Sequence, residues 1–129
     1  MATKQEALRD CLSVVKNDLK ATVLVDKYFL CDEKQNYIET RPQQMWHRLA
    51  KSCAIPEKED KRETIEHKFY NVLNDFKFVP GGRILYGLGN PYVNATLKNC
   101  YVTGIKDDSV KGVFDAGWQM AETYKTGGG

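Results

Sequence analysis

An abrupt change in composition at Val79 divides the chain into two parts that cannot fold alike. Before it, apolar residues recur at intervals of three and four, which places them on one face of a helix. After it, residues typical of turns crowd into one short segment. We therefore predict a helical N-terminal domain at residues 1–78 and a differently built part at residues 79–129. The turn-forming residues are Pro80, Gly81, Gly82, Gly87, Gly89, Asn90 and Pro91.

The apolar spacing of the first part predicts three helices and leaves one segment open. Thr40 followed by Gln43, with Pro42 in the first turn, is typical of a helix start. Pro56 ends that helix, because proline lacks the amide hydrogen that a helix interior requires. The segment 22–30, rich in Val, Tyr and Phe, fits either a strand or a helix. The predicted helices cover residues 1–20, 40–55 and 57–76.

Two further elements are predicted after the glycine-rich segment. Residues 97–105 read as one strand, and the apolar spacing from Val110 to Tyr124 predicts an amphipathic helix. The glycine-rich segment itself reads as plain turns, because it matches neither the dinucleotide-binding fingerprint nor a Walker phosphate loop. The predicted fold class is therefore an α+β fragment that is mainly α.

Composition and charge exclude several classes of protein. A chain of 129 residues, 42% hydrophobic and 28% charged, is neither a disordered tail nor a membrane protein. Its net charge is only +2 with both signs interleaved, so no face for direct nucleic-acid binding is predicted. A secretory signal needs a continuous apolar segment near the N-terminus, and this sequence has the charged residues Glu6, Arg9 and Asp10 there. We expect a cytoplasmic protein without membrane contact.

The four cysteines give no metal-site pattern. They form no CxxC pair, and no histidine stands at zinc-site spacing from them, so no metal is predicted. Cys11 and Cys53 fall on apolar helical stripes and are predicted to be buried. Cys100 lies mid-strand, directly after the glycine-rich segment, and its residue type alone also favours a buried structural role. Nothing in the sequence pattern activates it as a nucleophile.

Four motifs in this order resemble the large catalytic chain of ribonucleotide reductases. They are Phe78–Pro91, Leu97–Val102, Asp107–Asp115 and the helix end at Tyr124–Gly129. The combination is most similar to the adenosylcobalamin-dependent class II enzymes, whose chains are several times longer. The resemblance implies that 1–78 is a helical N-terminal domain. It also implies that 79–129 begins a ten-stranded α/β barrel, with its first strand and specificity helix, and is truncated at the glycine run.

The same resemblance implies a substrate site around Cys100. Cys100 matches one of two cysteines that become a disulfide as the ribose 2′-hydroxyl is removed, and an outside dithiol regenerates them. Asn99 matches a small polar substrate contact. Gly129 matches a glycine whose backbone lies against the substrate, where a side chain would block close approach.

An effector site and a dimer contact are implied farther along the chain. Asp107, Asp108, Ser109 and Val110 match the loop that holds a deoxynucleoside triphosphate effector. An aspartate there suits the ribose as a hydrogen-bond acceptor, and the alignment leaves Asp107 and Asp108 as alternatives. The helix at 111–124 matches one that packs against its symmetry mate in dimeric members, although a core helix would show the same apolar stripe.

The resemblance also implies what the complete enzyme would need. It would reduce ribonucleotides by thiyl-radical chemistry, with adenosylcobalamin as cofactor and a thioredoxin-like reductant. The radical-bearing cysteine and the second redox cysteine would lie in a C-terminal remainder, supplied by a split gene or behind an intein, so this chain alone is expected to be inactive. The alternative is a non-catalytic remnant that binds nucleotides or associates with an intact reductase.

Overall fold

The computed structural model describes residues 1–129 as a helical protein. Helices α1–α4 pack around a hydrophobic core, and Leu85 of the short helix α5 belongs to the same core. None of the helices is long and apolar enough to cross a membrane. A 3₁₀ turn at Asn74–Phe76 follows α4. The α-helices are α1 (Lys4–Val15), α2 (Asp18–Lys27), α3 (Pro42–Ala54), α4 (Glu59–Leu73), α5 (Gly82–Gly87) and α6 (Val110–Lys125).

The first twenty residues form two helices, so the prediction of one continuous helix is wrong. Lys16 ends α1 in the left-handed conformation, with φ of 52°. Asn17 then begins α2, because its side-chain oxygen accepts a hydrogen bond from the Lys20 amide at 2.8 Å. The ambiguous segment 22–30 is helical as far as Lys27.

Helix α3 is the centre of the core. Met45, Trp46 and Leu49 are almost fully buried along its apolar face, as their spacing predicts. Its start, however, is capped by a different residue from the one predicted. The Thr40 and Arg41 amides donate to the side-chain oxygen of Gln44 at 2.7 and 2.9 Å, whereas the predicted Gln43 makes no such bond.

A buried ion pair joins the helical body to the glycine-rich segment. Arg48 of α3 donates from Nε to a carboxylate oxygen of Glu39 at 2.8 Å, and both side chains are nearly inaccessible to solvent. The same guanidinium donates to the carbonyl oxygens of Tyr28, Leu85 and Leu88 at 3.2, 3.1 and 2.6 Å. The residues just after Val79 are therefore anchored to the helical body.

The second part differs from its prediction in two places. The segment read as plain turns contains helix α5. The predicted strand at 97–105 is not formed; the chain contains only isolated bridges, at Ala2–Tyr37 and Cys31–Tyr37. A strand needs a neighbouring strand to complete its hydrogen bonds, and the backbone of residues 97–105 pairs with the backbone of the single residue Gly129 only. The start of a barrel is thus not seen, while the helix predicted from Val110 to Tyr124 is confirmed as α6.

Candidate functional site

The backbone of Gly129 lies directly beside Cys100. The Gly129 amide donates to the carbonyl oxygen of Asn99 at 2.8 Å, and the Tyr101 amide donates to the Gly129 carbonyl oxygen at 2.9 Å. These two bonds bracket Cys100 in the pattern of a single parallel bridge. Asn99, Cys100 and Gly129, which the resemblance assigns to the substrate, are therefore brought together in space.

The glycine run reaches Cys100 because α6 ends in a Schellman motif. Gly127 adopts φ of 75°, a left-handed conformation that glycine reaches without a steric penalty. Its amide donates to the Tyr124 carbonyl at 2.8 Å, and the Gly128 amide donates to the Thr123 carbonyl at 3.0 Å. The motif reverses the chain direction and leads Gly129 back towards the extended segment.

Tyr101 packs on the glycine run. A side chain on Gly128 would place its Cβ about 2.5 Å from the Tyr101 ring, so only glycine fits there. A cavity of about 140 Å³ opens beside this contact. No role for Tyr101 follows from the sequence, where its position next to Cys100 is the one signal for it. The cavity is lined by Tyr101, Thr103, Met120, Thr123, Tyr124 and Gly129.

The thiols differ in their surroundings. Cys100 is exposed and free, so the expectation of a buried structural cysteine at this position is wrong. Cys11 is fully buried as predicted, and burial raises the pKa of its thiol to about 11. Cys53 is only half-buried, and burial raises the pKa of its thiol as well. Of these three cysteines, Cys100 is the one most accessible to a reagent or a substrate.

The predicted effector residues form the N-terminal end of α6. The Ser109 hydroxyl accepts from the Gly112 amide at 2.9 Å and donates to the Asp107 carboxylate. Asp107 lies so close to Gly112 that a side chain on Gly112 would clash with Asp107. Asp107, Asp108 and Val110 are all exposed, but Asp108 makes no hydrogen bond or ion pair. The structure thus commits Asp107 to the helix start and leaves Asp108 free.

The two groups of predicted site residues stand at opposite ends of α6. At about 1.5 Å per residue, the 16 residues of this helix separate them by roughly 24 Å. No other helix packs extensively on α6, and one of its faces presents large apolar side chains to solvent. They are Val110, Val113, Phe114, Trp118 and Tyr124.

A separate cavity of about 450 Å³ lies between α3 and α4. His47 and His67, both exposed, line it together with Glu63, Glu66 and Tyr70. His47 stacks on Tyr70 with ring centroids 4.1 Å apart. No group of histidine, cysteine, aspartate or glutamate side chains in the chain is close enough together to hold a metal ion.

Comparison with known proteins supplies a family. Residues 16–92 match the family model described as the ribonucleotide reductase all-alpha domain. The chain is 34% identical over 113 residues to the ribonucleoside-diphosphate reductase subunit alpha of Helicobacter pylori strain ATCC 700392 / 26695. This alignment covers 88% of this chain and 14% of that protein. It is 33% identical over 87 residues to the corresponding subunit of Chlamydia muridarum, in an alignment that covers 67% of this chain and 8% of that protein. The chain therefore spans about a seventh or less of the length of these relatives.

The relatives correct the predicted cofactor and establish the family. They are ribonucleoside-diphosphate reductases, the class I type, which does not use adenosylcobalamin, so the prediction of that cofactor is wrong. The particular likeness to class II enzymes is not supported by them either. The resemblance to ribonucleotide reductases in general is confirmed, because the matched family model covers more than half of the chain. The chain belongs to the ribonucleotide reductase family and contains its N-terminal all-alpha domain.

Proposed function

We propose that this chain is the N-terminal part of the catalytic chain of a ribonucleotide reductase, whose complete form converts ribonucleotides to deoxyribonucleotides. The observation that carries the proposal is the pairing of the Gly129 backbone with both neighbours of Cys100. It joins the residues that the resemblance assigns to the substrate, on a chain that the family model matches. The names of the relatives favour a ribonucleoside diphosphate as the substrate.

In this proposal Cys100 supplies one of two thiols. When the ribose loses its 2′-hydroxyl as water, Cys100 and a second cysteine of the complete enzyme give up two electrons and two protons and form a disulfide. A thioredoxin-like dithiol then reduces that disulfide by exchange. The exposure of Cys100 suits both steps, because substrate and reductant must reach its Sγ in turn. The thiyl radical that starts the reaction would come from the C-terminal remainder.

Asn99 and Gly129 would contact the ribonucleotide beside Cys100. Gly129 has no side chain, so a substrate can approach its backbone closely. The Asn99 side chain offers both a donor and an acceptor to sugar hydroxyls. Residues 79–129 would then belong to the first part of the barrel domain, with residues 1–78 as the helical domain that precedes it.

A deoxynucleoside triphosphate effector would bind at the other end of α6. Asp108 is the better acceptor for its ribose hydroxyl, because Asp107 is already engaged by Ser109. Ser109 and Val110 begin the helix there, and a helix N-terminus favours anionic phosphate. The exposed apolar face of α6 supports a homodimer through residues 111–124.

The test is substitution of Cys100 in an enzyme reconstituted with the C-terminal remainder. Cys100→Ser is expected to abolish turnover with an external dithiol while effector binding is retained. Cys31→Ser is the matched control, because Cys31 is also free and partly exposed but lies far along the sequence from the glycine run. Retained turnover in Cys100→Ser would remove Cys100 from the mechanism. Effector binding without any turnover of the reconstituted wild type would instead identify a regulatory remnant.

A further inference from the structure

Arg83 reaches from α5 to the C-terminal end of α6. Its guanidinium donates one hydrogen bond from Nη2 to the carbonyl oxygen of Gly127. A second runs from Nη1 to the carbonyl oxygen of Thr126 at 3.4 Å. The two elements are more than forty residues apart in the sequence, so this side chain is a long-range link.

The carbonyl groups that Arg83 binds have no other donor. The Schellman motif satisfies the carbonyls of Thr123 and Tyr124, whereas those of Thr126 and Gly127 accept no backbone hydrogen bond. A cation at this place is also favoured by the helix dipole, whose negative end lies at the C-terminus of α6. Arg83 therefore supplies both the donors and the charge that the end of α6 lacks.

The position of the glycine run depends on few contacts. No other helix packs extensively on α6, so its end is held by the backbone pairing of Gly129, by the Tyr101 ring on Gly128, and by Arg83. Gly129 follows two residues after the carbonyl that Arg83 binds. A shift of Gly127 would therefore move Gly129 relative to Cys100.

We propose that Arg83 is a positioning residue that holds the glycine run against Cys100. The proposal rests on the proposed function, since this placement matters to a substrate only if Cys100 and Gly129 meet the ribonucleotide. The link is built from a side chain of α5, so the geometry beside Cys100 depends on a residue that need not contact the substrate itself.

The experiment measures hydrogen exchange of individual amides by NMR in this chain. The Tyr101 and Gly129 amides report the pairing around Cys100, and amides of α3 report the core. In Arg83→Ala the first two are expected to exchange about tenfold faster, while the α3 amides and the melting temperature stay unchanged. Arg83→Lys keeps one donor and the charge, so it should recover part of the protection. Arg62→Ala is the control, because Arg62 donates to the Glu57 carbonyl at 3.0 Å on an exposed surface elsewhere.

Two outcomes would overturn the proposal. One is equal exchange of the Tyr101 and Gly129 amides in the wild type and in Arg83→Ala. The other is a parallel loss of protection in α3, which would make Arg83 a general stabilising residue. Neither measurement uses turnover, so retained turnover in Cys100→Ser would refute the proposed function and leave the role of Arg83 to be decided by exchange alone.

Discussion

Replacement of Arg48 by methionine is expected to destabilise the chain more than the loss of any surface ion pair. The Arg48 and Glu39 side chains are only 8% and 4% exposed, and their closest nitrogen and oxygen atoms are 2.8 Å apart. Methionine fills a similar volume but carries no charge and no hydrogen-bond donor. The substitution therefore tests the polar contacts of Arg48 with little change in packing.

The expected loss follows from the groups that Arg48 leaves behind. The Glu39 carboxylate keeps the Leu30 amide as a donor at 2.8 Å but loses its counter-charge. The carbonyl groups of Tyr28, Leu85 and Leu88 lose a donor in the same step. Removal of one partner from a buried ion pair costs about 3–5 kcal/mol. A whole domain is stable by only about 5–15 kcal/mol, so a large part of the unfolding free energy should be lost.

Urea unfolding followed by far-ultraviolet circular dichroism measures this loss. The double variant Glu39→Leu with Arg48→Met should be more stable than Arg48→Met alone, because it leaves no unpaired buried charge. The control is Arg41→Met, which removes a pair 4.0 Å apart with both side chains about half exposed. That change should cost at most about 1 kcal/mol. An Arg48→Met chain within about 1 kcal/mol of the wild type would refute the reasoning.

Two further outcomes are expected from the burial pattern. The folded chain holds the Cys11 pKa at about 11, above the usual thiol value, so folding favours the protonated thiol. Its contribution to stability is then complete below about pH 9 and is lost as the pH rises towards 11. The difference in unfolding free energy between the wild type and Cys11→Ala should therefore shrink over that range, and a difference that stays constant would contradict the assignment. Separately, Trp118→Ser combined with Phe114→Ser removes much of the exposed apolar face of α6 without touching the core. Sedimentation velocity should show a wild-type dimer and a monomeric variant, whereas a wild type that stays monomeric at high concentration would argue against the dimer.

The sequence predicts the helices wherever an apolar stripe has a core to face. The sequence predicts helix α3 together with its buried residues, because Met45, Trp46 and Leu49 repeat at helical spacing. Periodicity does not predict the break between α1 and α2, because that break depends on the left-handed conformation of Lys16 and on the Asn17 side chain. Neither feature interrupts the apolar stripe. A local cap can therefore divide a helix that periodicity reads as continuous.

Long-range contacts explain the remaining differences between the sequence predictions and the structure. The partners of Arg48 lie up to forty residues away, so no window of sequence reveals that this arginine is buried. The strand expected at 97–105 has β-forming residues, yet its formation depends on a neighbouring strand rather than on its own composition. The order of the four motifs was informative for a different reason. It identified a family without requiring that any one contact be known.

The body formed by α1–α4 and helix α6 are stabilised by different kinds of contact, and this difference bears on the candidate site. The body formed by α1–α4 owes its stability to buried apolar area and to one buried ion pair, both of which resist local opening. Helix α6 instead connects to its surroundings through backbone hydrogen bonds at Gly129, the Tyr101 ring and the Arg83 guanidinium. Contacts of that kind open at a lower free energy than a packed core. The residues around Cys100 should therefore exchange their amides faster than those of α3 in the wild type, because the contacts that place Gly129 can open while the helical body stays intact.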